Sequence, residues 1–137
     1  MKLYPLNDPA TFVTLSNDLI WDDEFGWTPL VSTMEYSVTG ALVIDQSMRQ
    51  AGRPITLTPA QEDMAWTSRS VLKQLYEWAK IPLLELVLEL QYPNDTRQFT
   101  VSFRPGESEV LTHKPVKGFP GMNDEDQYLV SIKLIQI

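Results

Sequence analysis

The run from Met34 to Leu57, MEYSVTGALVIDQSMRQAGRPITL, constrains the fold of this chain more than any other stretch. Met34, Tyr36, Val38, Leu42, Ile44 and Met48 share one parity, and Glu35, Ser37, Thr39, Asp45, Ser47 and Arg49 share the other. Successive side chains of a strand point to opposite faces, so this pattern predicts a half-buried β-strand. At about 3.3 Å per residue, a straight strand from Met34 to Met48 would reach roughly 45 Å, more than a small domain can use. Gly40 falls in phase with the apolar row, and glycine inside a strand pattern marks a bend or bulge. The expectation is one bent strand passing between two sheets, with a hairpin turning at Thr39-Gly40 as the alternative. Ala51-Gly52-Arg53 then turns the chain, and Pro54 opens a short strand with Ile55 and Leu57 inward.

Weaker alternation precedes this stretch. Phe12–Leu15 reads as a strand with Val13 and Leu15 on one side, Asn17-Asp18 as a turn, and Leu19–Glu24 as a second strand broken by Gly26-Trp27-Thr28-Pro29. After Thr58 comes one helix, at about residues 67–80. Thr67 or Ser68 is placed to cap it. Val71, Leu72, Leu75, Tyr76 and Ala79 make an apolar stripe, Lys73 and Glu77 form an i,i+4 pair on the other side, and Pro82 stops the helix. So short a helix does not hold alone, so its stripe must pack on a sheet. Leu84–Tyr92 and Gln98–Arg104 alternate around Pro93-Asn94-Asp95-Thr96 and predict a hairpin, with Glu85 and Glu89 near Thr100, Ser102 and Arg104. Residues 105–126 are loop-rich, with short edge strands expected at Val110, Leu111 and Val116. Tyr128, Val130, Ile132 and Leu134 make a final strand. About seven strands and one helix give a β-rich α+β class, an antiparallel β-sandwich or small barrel with one flanking helix. At 137 residues the expectation is a single domain, 1–137.

Composition narrows the function classes. Acidic residues number 18 against 11 basic, a formal charge of −7. A dedicated binder of nucleic acid or anionic membrane needs a basic face, so neither partner is expected. The chain has no cysteine, which excludes disulfides, zinc-thiolate sites and thiol catalysis. MKLYPLNDP lacks the continuous apolar run of a signal peptide, and no stretch approaches the ~20 apolar residues of a membrane span. A cytoplasmic, unanchored protein is the default expectation.

No motif spells out a reaction. His113 is the sole histidine and sits in a polar, proline-flanked stretch, which reads as a solvent-exposed or loop histidine. The runs Asp22-Asp23-Glu24 and Asp124-Glu125-Asp126 read as solvated charge, because neighbouring strand residues face opposite ways and the second run lacks the glycine and distal glutamate of a calcium loop. Glu35 and Glu85 could be proposed as paired acids, but so could many others. Ser70-Val71-Leu72-Lys73 matches Ser-x-x-Lys, yet lies mid-helix without companion motifs. No catalytic residue, metal ligand or cofactor is therefore assigned. Of the four tryptophans, Trp21 and Trp78 fall in core rows, while Trp27 and Trp66 sit at element edges and suit an interface.

Trp27-x-Pro29, then Glu35–Ile44 (EYSVTGALVI) and Gln50–Leu57 (QAGRPITL), then Phe99–Arg104 (FTVSFR), a later proline and Asp126–Leu134 (DQYLVSIKL), resemble in their order the small tail proteins of long-tailed bacteriophages. The resemblance runs from Trp21 onward. It implies a β-sandwich or barrel module with a flanking helix, built into a ring of the tail tube, distal tail or baseplate. It implies a virion location after assembly in the host cytoplasm, homo-oligomeric and other tail-protein partners, and no active site. On this reading the contact surfaces are Tyr36–Pro54 and the Gly106–Asp126 loops, with Trp27, Tyr36, Arg49, Arg53, Trp66, His113 and Phe119 as candidate interface residues. An acidic lumen would also let DNA pass without gripping it. The chain is short for a full distal tail protein, which often carries a second domain. The competing expectation is a monomeric β-sandwich that binds carbohydrate or a small ligand through exposed tryptophans.

Overall fold

The computed structural model of the chain describes residues 1–118 and 123–137. In chain order its elements are β1 (Lys2–Pro5), β2 (Val13–Thr14), β3 (Leu19–Trp21), β4 (Leu30–Tyr36), β5 (Leu42–Met48), β6 (Pro54–Pro59), β7 (Thr67–Ser68), α1 (Arg69–Ala79), β8 (Leu86–Glu89), β9 (Gln98–Phe103), β10 (Leu111–Pro115) and β11 (Gln127–Gln136). Strand accounts for 44% of residues and helix for 8%, which makes the class β-rich α+β and sandwich-like, as the alternation predicts.

Two sheets result. The larger follows the path β2-β1-β8-β9-β11-β6-β3, with β7 and β10 also on β11, and the smaller is β4-β5 alone. The described ladders of both are antiparallel. The path cannot lie flat. Seven strands about 4.8 Å apart would hold β2 and β3 roughly 29 Å from each other. Residues 15–18, which join them, span at most about 18 Å. The sheet must therefore curl, and the Tyr92 hydroxyl crosses the interior to donate to the Leu19 carbonyl at 3.3 Å.

β11 holds the sheet together. It pairs with β7 at Gln127 and Tyr128, with β10 from Tyr128 to Ile132, with β6 from Ile132 to Ile135, and with β9 from Leu134 to Gln136. Its inward row is the predicted one: Tyr128, Val130, Ile132 and Leu134 are all buried. They meet Ile55 and Leu57 of β6, Leu86 and Leu88 of β8, and Phe99 and Val101 of β9 in one core. The expected β8–β9 hairpin forms, with Leu86 opposite Val101 and Leu88 opposite Phe99. Tyr92 and Asp95 exchange backbone hydrogen bonds at 3.0 and 3.2 Å, which leaves Pro93-Asn94 at the tip. Glu89 faces Gln98 and Val87 faces Thr100, while the Arg104 guanidinium goes to Asp23 and Glu107 rather than to Glu85.

Helix α1 packs Leu75 and Trp78 into the core, with Val71, Leu72 and Ala79 partly covered, and leaves Tyr76 exposed. The predicted pairing of Lys73 with Glu77 gives way to two others: Lys73 bonds Asp124 at 2.6 Å, and Glu77 takes Lys80 at 3.1 Å. Ser68 occupies the N-cap position, but its hydroxyl bonds that of Ser70 and caps nothing. The orphan amides of Arg69 and Ser70 donate instead to the carbonyls of Asp126 and Asp124, at 2.8 and 3.1 Å. The acidic run read as solvated charge thus supplies the helix cap through its backbone. β1, too short to announce itself by alternation, places Leu3 fully buried opposite Leu88. No helix among the described residues is long and apolar enough to cross a membrane.

Candidate functional site

The stretch expected to be one bent, half-buried strand is a hairpin that leaves the body. β4 and β5 pair from Leu30↔Met48 to Tyr36↔Leu42, and every residue of both strands is exposed. The bent-strand expectation fails because the chain reverses: Ser37 donates to the Ala41 carbonyl and Gly40 to the Ser37 carbonyl, at 2.8 and 2.9 Å. Gly40 has φ +82°, which glycine adopts at no steric cost. The Ser37 hydroxyl stiffens the turn by accepting from the Ala41 amide at 3.0 Å.

The parity seen in the sequence survives the reversal, because Tyr36 pairs with Leu42 and so on in steps of two. One face therefore carries Leu30, Met48, Met34, Ile44, Tyr36 and Leu42, with Ser32 and Gln46 between. The other carries Thr33, Asp45, Glu35 and Ser47, with Val31 and Val43. The apolar face is bare: Met48 is 70% exposed and Tyr36 69%. An isolated two-stranded ribbon with an uncovered apolar face is marginal in water.

The root of this arm is built firmly. β3 and β6 pair through Trp21↔Leu57, and the Asp22 amide extends that ladder to the Thr56 carbonyl at 3.0 Å. The Asp23 carboxylate accepts from both the amide and the hydroxyl of Thr56, each at 2.9 Å. Arg104 closes the clamp, 3.5 Å from Asp23 and donating to the Thr56 hydroxyl at 2.8 Å. Arg53 donates to the Glu24 carbonyl at 2.9 Å and lies 4.5 Å over the Trp21 ring. Asp23 is thus a structural acceptor rather than solvated charge. The signal for it is a carboxylate just past a strand, where an orphan amide of the partner strand needs one.

A second surface lies against α1. A groove of about 870 Å³ runs between the helix and the Phe103–Leu111 segment. Apolar side chains reach it from Leu72, Tyr76, Ile81, Leu83, Phe103 and Val110. Leu83 is 95% exposed and holds φ +56°, a left-handed conformation that disfavours a branched side chain. The residues around Pro82 are not among the predicted contacts; the signal was apolar Ile81 and Leu83 on both sides of a helix-stopping proline.

The candidate interface residues are dispersed. Tyr36 and Arg49 lie on the arm and at its base, both exposed, and Arg53 and the half-buried Trp27 lie at the root. Trp66 is exposed and donates its indole N–H to the Glu62 carbonyl at 3.0 Å. His113 is exposed on β10, with its ring 6.4 Å from that of Tyr128, at the groove wall. Phe119 lies outside the described residues. Trp78 is buried and Trp21 packs edge-on to Phe99 at 5.3 Å, as their core rows predicted. The carboxyls of Asp95 and Asp124 are held below their ordinary pKa, Asp95 by its hydrogen bonds from Arg97 and Asp124 by its bond from Lys73. Among the described residues no group of histidine, aspartate and glutamate is placed to hold a metal ion.

Fold and arm together define a curled, β-rich α+β module with a projecting amphipathic hairpin. No protein-family model, curated protein or solved structure matches the chain.

Proposed function

We propose that this protein is a non-enzymatic structural subunit that assembles with copies of itself, and that its place is a ring of a bacteriophage tail. The observation that carries the assembly reading is the β4–β5 arm. It stands clear of its own core with one apolar and one polar face. Burying that apolar face against a neighbour would remove it from water and convert a marginal ribbon into a fixed one. The clamp of Asp23 on Thr56 supports this reading, since it anchors the strands from which the arm's two connecting segments leave. The tail setting rests on the sequence resemblance, with which the sandwich-like fold is consistent. The −7 charge would suit a lumen through which DNA passes unheld.

The test is light scattering on a sizing column with negative-stain imaging of the same peak. Rings or stacked tubes are the expected result, and Tyr36→Ser combined with Ile44→Ser abolishes them. A protein that stays monomeric at every concentration, both alone and with the other proteins of such a tail, would overturn the proposal.

A further inference from the structure

We infer that the receptor for the arm is the groove beside α1 on a second copy of the same chain, so that the contact is head-to-tail. This deepens the assembly reading above and rests on it.

Both surfaces are apolar, and both belong to one molecule. The arm offers six large side chains on one face. At on the order of 100 Å² for each half-exposed side chain, that face supplies about 600 Å². A stable interface buries about 800 Å² per partner, so the face with its exposed tip residue Val38 approaches what is needed. The dimensions also agree. Each arm strand has 7 residues and reaches roughly 23 Å, while α1, with 11 residues, lines a wall of roughly 16 Å. Most of the arm's cross-strand pairs therefore fit along the groove.

Leu83 is the independent sign that this groove is meant to be covered. Its backbone sits in the left-handed region, and the side chain displayed there is almost wholly bare. A non-glycine residue held in such a conformation at a surface points to use of that surface. Tyr76 and Ile81 stand exposed in the same groove.

The two surfaces also differ in charge. The strands of the arm carry Glu35 and Asp45 and no cation. Along the helix wall of the groove stand Arg69, Lys73 and Lys80, with Asp124 paired to Lys73 and Glu77 to Lys80. The opposite wall carries Glu109 as well as Glu107, which is paired with Arg104 and Lys133. Two different patches in contact make a heterologous interface, which closes into a ring when the rotation between neighbours permits.

The natural absence of cysteine allows a clean test. Ile44→Cys and Leu83→Cys are prepared as separate proteins, mixed, and treated with a short bifunctional maleimide. A covalent dimer in the mixture, absent from either protein alone, is expected, and the double variant should yield a ladder of linked oligomers. Rings that form while cross-links arise only between Ile44→Cys copies would overturn the groove and leave the assembly reading standing. Rings with no cross-link of either kind would do the same. A chain that never assembles would overturn both. Leu83→Ser, read by sizing, provides a second measurement: assembly should weaken at least tenfold in concentration while the unfolding midpoint holds, and unchanged assembly counts against the groove.

Discussion

β11 and the β4–β5 arm are written in the same alternating code and have opposite fates. Tyr128, Val130, Ile132 and Leu134 are buried, while Leu30, Met34, Tyr36, Leu42, Ile44 and Met48 are bare. The difference is in what the neighbours supply. β11 is flanked by β6, β7, β9 and β10, whereas each arm strand has only the other. Alternation reports that a strand has an apolar face, and does not say which molecule covers it.

Substitutions can break or sharpen that contrast. Leu134→Ala removes a fully buried side chain from β11 and should cost about 2–5 kcal/mol, read by urea unfolding of dilute protein. Asp23→Ala strips the acceptor from both Thr56 groups at the arm's root and should cost about 1–3 kcal/mol in the same assay. Leu83→Gly should work the other way, relieving the left-handed strain and stabilising the monomer by about 0.5–1 kcal/mol while weakening self-association. Ile44→Thr should alter monomer stability by less than about 0.5 kcal/mol yet raise the concentration at which oligomers form. If Ile44→Thr instead destabilised the monomer as much as Leu134→Ala, the arm would be covered by its own chain and the contrast would collapse.

The smallest effect is one of pH at the β8–β9 tip. Arg97 holds the Asp95 carboxyl below its ordinary value of 3.8, so the carboxylate binds fewer protons folded than unfolded. Its contribution is whole above 3.8 and disappears as acid titrates it through the lower folded value. A thermal melt series in acid should show this slope, and Asp95→Asn should flatten it. Because the pair lies at the surface, added salt should shrink the effect.

What could be read from residues alone divides along the same line. The β8–β9 hairpin, the helix near residues 67–80 and the inward row of β11 follow from local pattern, because period and turn chemistry are local properties. The parity of the arm was legible too. Its reversal at Ser37–Ala41 was legible only as the alternative to a bend, since Gly40 suits both, and its bareness was not legible, since burial depends on the rest of the fold. β1 was hidden because Lys2–Pro5 is only four residues, with too few alternations to count. The non-local partners were hidden as well. Lys73 chose Asp124 over Glu77, 51 residues away in sequence rather than four. Asp23 found Thr56 across 33 residues. Of the docking surfaces, the arm is a single stretch that can be noticed. The groove gathers Tyr76, Leu83, Phe103 and Val110 from separate elements, which only folding brings together.

The central place of β11 also sets an order of events on the ribosome. β6, β7, β9 and β10 all emerge before Gln127–Gln136, the segment that joins them. Until it arrives their edges stand open, and closure waits on contacts between distant parts of the chain, which form slowly. During that interval the nascent sheet is adhesive along the edges that β11 later seals. A cell that makes many copies at once must keep these half-built sheets apart long enough for each to receive its own β11.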